Sequence, residues 1–280
     1  CLSLFMVVVD NTIVNVALPT LSEELSATTA NLQWIVDAYT LVFSALLLAF
    51  GYFGDRTGRR RALQFGLVIF AITSGLAALS QTTEQLIGAR ALMGIGAAMI
   101  FPATLAIIIN VFTDIRERAM AIGIWSGVTG LAVAAGPVTG GLLLEHFWWG
   151  SIFLVNIPIA LVALLAGRLL IPDSRDPRPG GLDRLGMVLS IAAVAAVVWA
   201  VIEAPHRGWT SAEIVITGTT GLLLLAAFVV HELRTRYPLL DVSLFRNPRF
   251  SAASVAIASA FFGLFGFIFL ITQYMQLVQG

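Results

Sequence analysis

Nine runs of mostly apolar residues succeed one another along this chain, at about 1–21, 33–53, 62–80, 85–112, 117–144, 151–171, 185–203, 212–231 and 250–278. Each is near the length of roughly 20 residues that a helix needs to cross a hydrocarbon core of about 30 Å. No water reaches the backbone there, so every N–H and C=O must be paired internally, which leaves helices or a closed barrel. The runs are too long for barrel strands and lack their alternation of apolar and polar residues. The expected fold class is therefore all-α, a polytopic membrane protein. Composition agrees: 58% of the 280 residues are hydrophobic and 11% are charged, against about 45–50% and 25% in soluble domains.

The sixteen basic residues are all arginine. Fourteen fall in the connections and helix ends of one side, Arg207 lies on the other, and Arg90 lies inside a span. The arginine-rich side is expected to be cytoplasmic, which puts the N-terminus in the cytoplasm. The chain opens on Cys1, already within an apolar run. It reads as a fragment whose start lies upstream, and a cleaved signal peptide is a poor explanation because apolar segments keep coming.

The densest charge cluster, GYFGDRTGRRRAL at 51–63, joins the second and third spans. Gly51 and Gly54 permit close helix approach, and Gly58 permits a tight turn. Asp55 closes a stripe that runs Asp37, Leu41, Ser44, Leu48, Gly51, Asp55 along one face. A carboxylate at a helix C-terminus opposes the macrodipole and calls for a partner. Arg56, Arg59, Arg60 and Arg61 follow it. Such a turn serves as a topology anchor, and it is also a candidate cytoplasmic gate.

Three charged residues within spans, Asp10, Asp37 and Arg90, stand out. Asp10 lies about 17 Å from the outer end of the first span at 1.5 Å per residue, near mid-membrane. An acid there is costly and is a functional candidate by default. The bland alternative is a structural Asp satisfied by Asn11 or Asn15. Arg90 needs an acid or carbonyl partner, and Asp10 and Asp37 are the candidates. It either holds a carboxyl group that exchanges protons or forms a structural pair. Asp37 sits about one turn inside the second span, where it binds protons or cationic molecules or is a wet interfacial acid. Asp10, Asn15, Asp37 and Arg90 are thus the candidate coupling and cavity residues. Trp34 and Tyr39 line a cavity or belong to an interfacial aromatic belt.

The fifth span carries Gly123, Gly127, Gly130, Gly136, Pro137, Gly140 and Gly141. Pro137 removes a backbone donor, and glycines four apart make a flat face for packing. Other chemistries are poorly served. His146, His206 and His231 lack metal-ligand spacing, and the single cysteine excludes a disulfide framework or a cysteine metal cluster. GIWSG at 123–127 is not a nucleophile elbow. No lysine exists to complete a phosphate-binding loop. Zero net charge gives no footprint for nucleic acid.

The turn at 51–63 closely resembles the loop 2–3 motif of the major facilitator superfamily, Gly-x-Leu-Ala-Asp-Arg-x-Gly-Arg-Lys. Further segments resemble, in order, its fourteen-helix drug:proton antiporter branch. They are DNTIVNVALPTL (10–21), LQWIVDAYTLVFSALLL (32–48), LIGARALMGIGAAMIFPATLAII (86–108), GLAVAAGPVTGG (130–141), FLVNIPIAL (153–161), LDVSLFRNPRFS (240–251) and TQYMQLVQG (272–280). Together they cover essentially the whole chain. The resemblance implies a six-helix N-terminal bundle at 1–172, a cytoplasmic linker at 173–184, two inserted helices within 185–233, and a second linker with the first helix of the C-terminal bundle at 234–280. Five further helices of that architecture would be absent. Two departures stand out. Gly150 occupies the place of a common arginine, which puts an ion pair with Glu145 in doubt, and Asp37 stands where threonine is common.

The resemblance implies a proton-coupled antiporter that exports lipophilic, often cationic, drugs across the cytoplasmic membrane and confers antibiotic resistance. Asp10 and Arg90 would serve proton coupling, and Gly51, Gly54, Asp55, Arg56, Gly58, Arg59 and Arg60 the cytoplasmic gate. Gly130, Gly136, Pro137, Gly140 and Gly141 would form the antiporter helix. The proton gradient is the expected energy source, with no cofactor and no metal. Expected partners are small lipophilic substrates, protons and the bilayer, with a monomeric protein and no nucleic acid. The alternatives are an exporter or symporter for one metabolite, lipid or siderophore, and a non-transporting sensor or intramembrane enzyme.

Overall fold

The computed structural model describes residues 1–172, 174 and 183–274, with side chains at 264–265 and 268–274 set aside. Its helices are α1 Leu2–Glu24, α2 Thr29–Thr57, α3 Arg59–Ala78, α4 Thr83–Val111, α5 Ile115–His146, α6 Ser151–Leu154, α7 Asn156–Leu170, α8 Arg184–Arg207, α9 Ala212–Glu232 and α10 Pro248–Tyr274, with a 3-10 turn at Val242–Arg246. No strand occurs among the described residues. Eight segments there are helical, long and apolar enough to cross a membrane, with α6 and α7 together forming one of them. Most of the linker expected at 173–184, and the end of the ninth expected span at 275–278, lie outside the described residues.

Local chemistry sets the helix ends. The hydroxyls of Thr28, Thr82 and Ser211 accept from the backbone N–H groups of Asn31, Gln85 and Ile214. The carboxylates of Asp114 and Asp183 do the same for α5 and α8. Each satisfies a donor that the first helical turn leaves unpaired. Gly58 separates α2 from α3 at φ 119°, a backbone state that L-residues with a side chain rarely adopt. The sixth expected span runs through Val155 with helical backbone angles, φ −59° and ψ −25°, and loses one rung of its ladder at Pro158, which has no N–H to offer the Leu154 carbonyl one turn back.

Small residues draw the bundle together. A Cβ on Gly66 would lie 2.9 Å from the Gly96 carbonyl oxygen, and one on Gly94 would lie 2.7 Å from that of Tyr39. These glycines let α3 and α2 pack backbone-close on α4. Helix α1 lies between α5 and α7, while α8 and α9 form a hairpin with α8 against α2. Gly150 packs in the same way. A Cβ there would lie 2.7 Å from the Ala78 carbonyl oxygen and would run into the Trp148 indole, so this chain has no room for the arginine common at that place. The core runs through α1, α3 and α4 and closes on Ile152, Phe153, Ala160 and Ala163.

Candidate functional site

Five helices meet around one carboxyl group. Asp10 on α1 and Arg90 on α4 are both fully buried, and Arg90 Nη1 donates to Asp10 Oδ2 at 2.6 Å. The guanidinium also donates through Nε to the Ile35 carbonyl at 3.1 Å, and its Cζ lies 4.3 Å from the ring centre of Tyr39 on α2. A cation over a desolvated aromatic face is worth about 2 kcal/mol. On the other side, Asn156 Nδ2 at the start of α7 donates to Asp10 Oδ1 at 2.7 Å and to Ser74 Oγ on α3 at 3.4 Å. Both oxygens of the carboxylate are thus engaged. Arg90 Nη2, Tyr39 Oη and Asn156 Oδ1 are buried without a hydrogen-bond partner among the described residues.

Of the residues proposed from sequence for this region, Asp10 and Arg90 come together and two others do not. Asn15 is exposed and reaches only the Asn11 carbonyl, at 3.5 Å. The amide that satisfies Asp10 is instead Asn156, 146 residues further along the chain. Asp37 is half-buried, hydrogen-bonded to Gln33, with Glu203 and His206 of α8 as its titratable neighbours. The turn separation explains this: α2 offers the Ile35 carbonyl and the Tyr39 ring to Arg90, while Asp37 points toward the α8–α9 hairpin.

That second polar cluster has its own order. Trp34 Nε1 donates to Glu203 Oε1 at 3.0 Å, and Arg207 bridges Glu203 and Glu213 at 2.6 Å each. Gln33 Oε1 pairs with the His206 ring. Glu203 is buried and ties the hairpin to α2. In the sequence Glu203 merely ends an apolar run, and the Trp34 contact reveals its structural role.

At the α2–α3 turn, Asp55 finds its partner in Arg59, with Nε to Oδ1 at 2.7 Å. The Arg59 N–H donates to the Ser174 carbonyl, and Arg60 Nη1 donates to the Ile171 carbonyl at 3.1 Å. The turn is thereby strapped to the end of α7. Gly54 packs on Ala62, where a Cβ would stand 3.2 Å from the alanine methyl, while Gly51 has ordinary room beside Pro102.

The glycines of α5 divide into two groups. Cβ atoms on Gly136 and Gly140 would press on Thr12 and Ile13 of α1 at 2.8 and 2.9 Å. Gly130 and Gly141, like Gly123 and Gly127, have nothing within 4 Å among the described residues. Pro137 lies inside α5, which continues past it to His146. Among the described residues no group of three or more His, Cys, Asp or Glu side chains is arranged to hold a metal ion.

The comparisons with known proteins fit this architecture. The chain is 44% identical to the multidrug efflux pump LfrA of Mycolicibacterium smegmatis, over all of this chain and 55% of that protein. It is 37% identical to the tetracenomycin C resistance and export protein of Streptomyces glaucescens, over 98% of this chain and 51% of that protein. It is 39% identical to the methyl viologen resistance protein SmvA of Salmonella typhimurium, over 98% and 55%. The chain therefore spans about half the length of these relatives. Among solved structures, the peptide transporter POT in complex with sulfate superposes with a TM-score of 0.58 at 19% identity, covering 84% of this chain and 52% of that one, a likeness of fold. Residues 1–280 match the Major Facilitator Superfamily throughout, and this chain is a multi-pass membrane protein belonging to that superfamily.

Proposed function

We propose that this chain carries the proton-coupling machinery of an antiporter that exports lipophilic, often cationic, drugs across the cytoplasmic membrane by alternating access. The observation that carries the reading is the buried Asp10–Arg90 pair, 2.6 Å apart and sealed from water. Ionised, the pair is neutral. With Asp10 protonated it holds one uncompensated positive charge, and a cationic drug is disfavoured nearby. Proton and drug thus compete through charge alone, which is what an exchange cycle needs. Similarity to a multidrug efflux pump and to resistance and export proteins supports drugs as the substrate class.

In the proposed cycle the cavity opens to the cytoplasm with Asp10 protonated. Drug entry accompanies loss of the proton, the bundle rocks, drug leaves on the far side, and reprotonation resets the site. The gradient supplies the energy, with no cofactor and no covalent chemistry, so the reading is transport rather than enzymatic catalysis. The arginine-rich connections support a cytoplasmic N-terminus, and a monomer suffices for the cycle. Asp37 belongs to a separate outward cluster with Glu203, suited to attracting cations at the opposite mouth.

The test uses the full-length protein in inside-out vesicles, following lumenal pH as ethidium is added. Wild type is expected to release lumenal protons in response to drug, and Asp10→Asn to abolish the response at normal abundance. No drug-dependent proton movement in wild type would sink antiport and turn attention to a dedicated substrate.

The strapped α2–α3 turn is the proposed cytoplasmic latch, with Gly51 and Gly54 on its packed face and Arg56 beside Asp55. Its Asp55–Arg59 pair is partly exposed, so its loss costs at most about 1 kcal/mol of stability. Asp55→Asn should therefore fold normally and yet slow drug-driven proton release by about fivefold or more, the size of a modest coupling between linked sites. Equal rates at equal abundance would reduce the turn to a topology anchor.

A further inference from the structure

We infer that Asn156 is the positioning residue for the proton on Asp10, serving both protonation states of the carboxyl group with one amide. The inference rests on the coupling role proposed for Asp10. Asn156 is fully buried, and its Nδ2 donates to Asp10 Oδ1 at 2.7 Å and to Ser74 Oγ at 3.4 Å. That geometry suits an ionised carboxylate, which only accepts. When a proton joins Oδ1, the new O–H must find an acceptor, because a buried polar hydrogen without one is costly. Arg90 cannot supply it, since a guanidinium has only donors. The Tyr39 ring lies against the guanidinium, and its hydroxyl makes no hydrogen bond to the carboxyl group.

The acceptor is already on the same side chain. Asn156 Oδ1 is buried with no hydrogen-bond partner among the described residues. A half-turn of the amide about χ2 exchanges Oδ1 for Nδ2. Oδ1 then accepts from the Asp10 O–H, and Ser74 changes from acceptor to donor, which a hydroxyl does by rotating. No backbone movement is required and the carboxyl group is satisfied in both states, while Nδ2 takes over the partnerless place of Oδ1, so the flip is held only while the Asp10 O–H is present. The charge balance is simple: one proton moves onto Oδ1, and the pair with Arg90 goes from neutral to +1.

The location makes the amide a link as well. Asn156 lies two residues before Pro158, which withholds a backbone N–H from the Leu154 carbonyl, so it stands where the helix ladder lacks one bond. The charged and titratable groups acting on Asp10 are Arg90 from α4 and Tyr39 from α2. Helices α3 and α7 bring Ser74 and Asn156, and α5 faces this stretch of α1 with Gly136 and Gly140. Among the described residues, the amide is the one neutral group that donates to the carboxylate and can accept from its protonated form.

Ethidium binding to the purified full-length protein, measured by fluorescence between pH 5 and 9, tests this. Wild type should lose binding as pH falls, and Asp10→Asn should be flat. Asn156→Leu removes a bond from both forms of Asp10, but the bond to the ionised form is charge-assisted and the stronger of the two, so the half-loss point should move upward by about half to one pH unit, the difference between the two kinds of bond. Asn156→Asp, an isosteric change that guards against misfolding of the leucine variant, places a second acid 2.7 Å from Asp10. The two acids then share a proton, and the half-loss point again moves upward. A profile from either folded variant that superimposes on wild type, or that is scaled down at every pH with its midpoint unmoved, overturns the inference while leaving antiport intact. A wild type without pH dependence, or an Asp10→Asn variant that keeps it, would remove the coupling reading and this inference together.

Discussion

Replacing Arg90 with leucine is expected to lower the stability of the protein by about 3–5 kcal/mol, the cost of stranding a charge buried in a dry interior. The expectation follows from how completely Arg90 is used. It neutralises Asp10 at 2.6 Å, satisfies the Ile35 carbonyl at 3.1 Å and stacks on Tyr39 at 4.3 Å. Leucine supplies none of these and leaves Asp10 with one neutral donor, Asn156. Thermal unfolding in detergent checks the loss. A double variant, Asp10→Asn with Arg90→Leu, separates structure from function. Neutralising the acid removes the stranded charge, so the double variant should regain most of the lost stability while remaining unable to couple protons. If the double variant is no more stable than Arg90→Leu alone, Arg90 holds the bundle through Ile35 and Tyr39 rather than through Asp10.

The second large effect is expected at Gly136. Valine there would place its Cβ 2.8 Å from Thr12 Cβ and 3.2 Å from the Ile13 backbone nitrogen. Neither atom can swing away: one is fixed to the α1 backbone and the other belongs to it. The helices must separate, and overpacking of this kind costs about 1–3 kcal/mol, occasionally more. The displaced helix carries Asp10 less than one turn from the contact, so transport should be lost even where the protein still folds. Gly141→Val is the matched control. Nothing stands within 4 Å of that position among the described residues, and the variant should fold like wild type. Comparable loss of folded protein in both variants would show that α5 tolerates no β-branched residue for reasons of its own, not because of its contact with α1.

These two positions also mark how far sequence could lead. The helical class was legible because spans of about 20 apolar residues leave the backbone no other solution in hydrocarbon. Asp10 and Arg90 stood out for the same reason: a charge in a span is too costly to be incidental. The glycines of α5 were legible as packing residues but not as two groups. Which of them touches α1 depends on the rotation of the helix about its axis, and a run of glycines leaves that rotation undefined.

Asn156 was missed because its signal is weak. One amide in FLVNIPIAL is a small anomaly in an apolar run, and its partner lies 146 residues away. Asn15 lies close to Asp10 along α1, yet five residues correspond to about 500° of helical turn at about 100° per residue, which puts Asn15 on a different face from Asp10. Asp37 and Arg90 looked like a plausible pair, both being charged and both toward the same end of their spans. Tertiary structure turned Asp37 toward α8 and gave its place to the Ile35 carbonyl and the Tyr39 ring.

By itself, the sequence determined that this chain crosses a membrane many times as helices, which end is rich in arginine, and that a few buried charges must answer to one another. These are consequences of solvation, and solvation acts on each segment alone. Only the tertiary structure decided which partners the buried charges take: Asp10 with Arg90 and Asn156, Asp37 with the α8–α9 hairpin. Pairing is a matter of distances of about 3 Å between helices far apart in the chain, and nothing local to a segment encodes them.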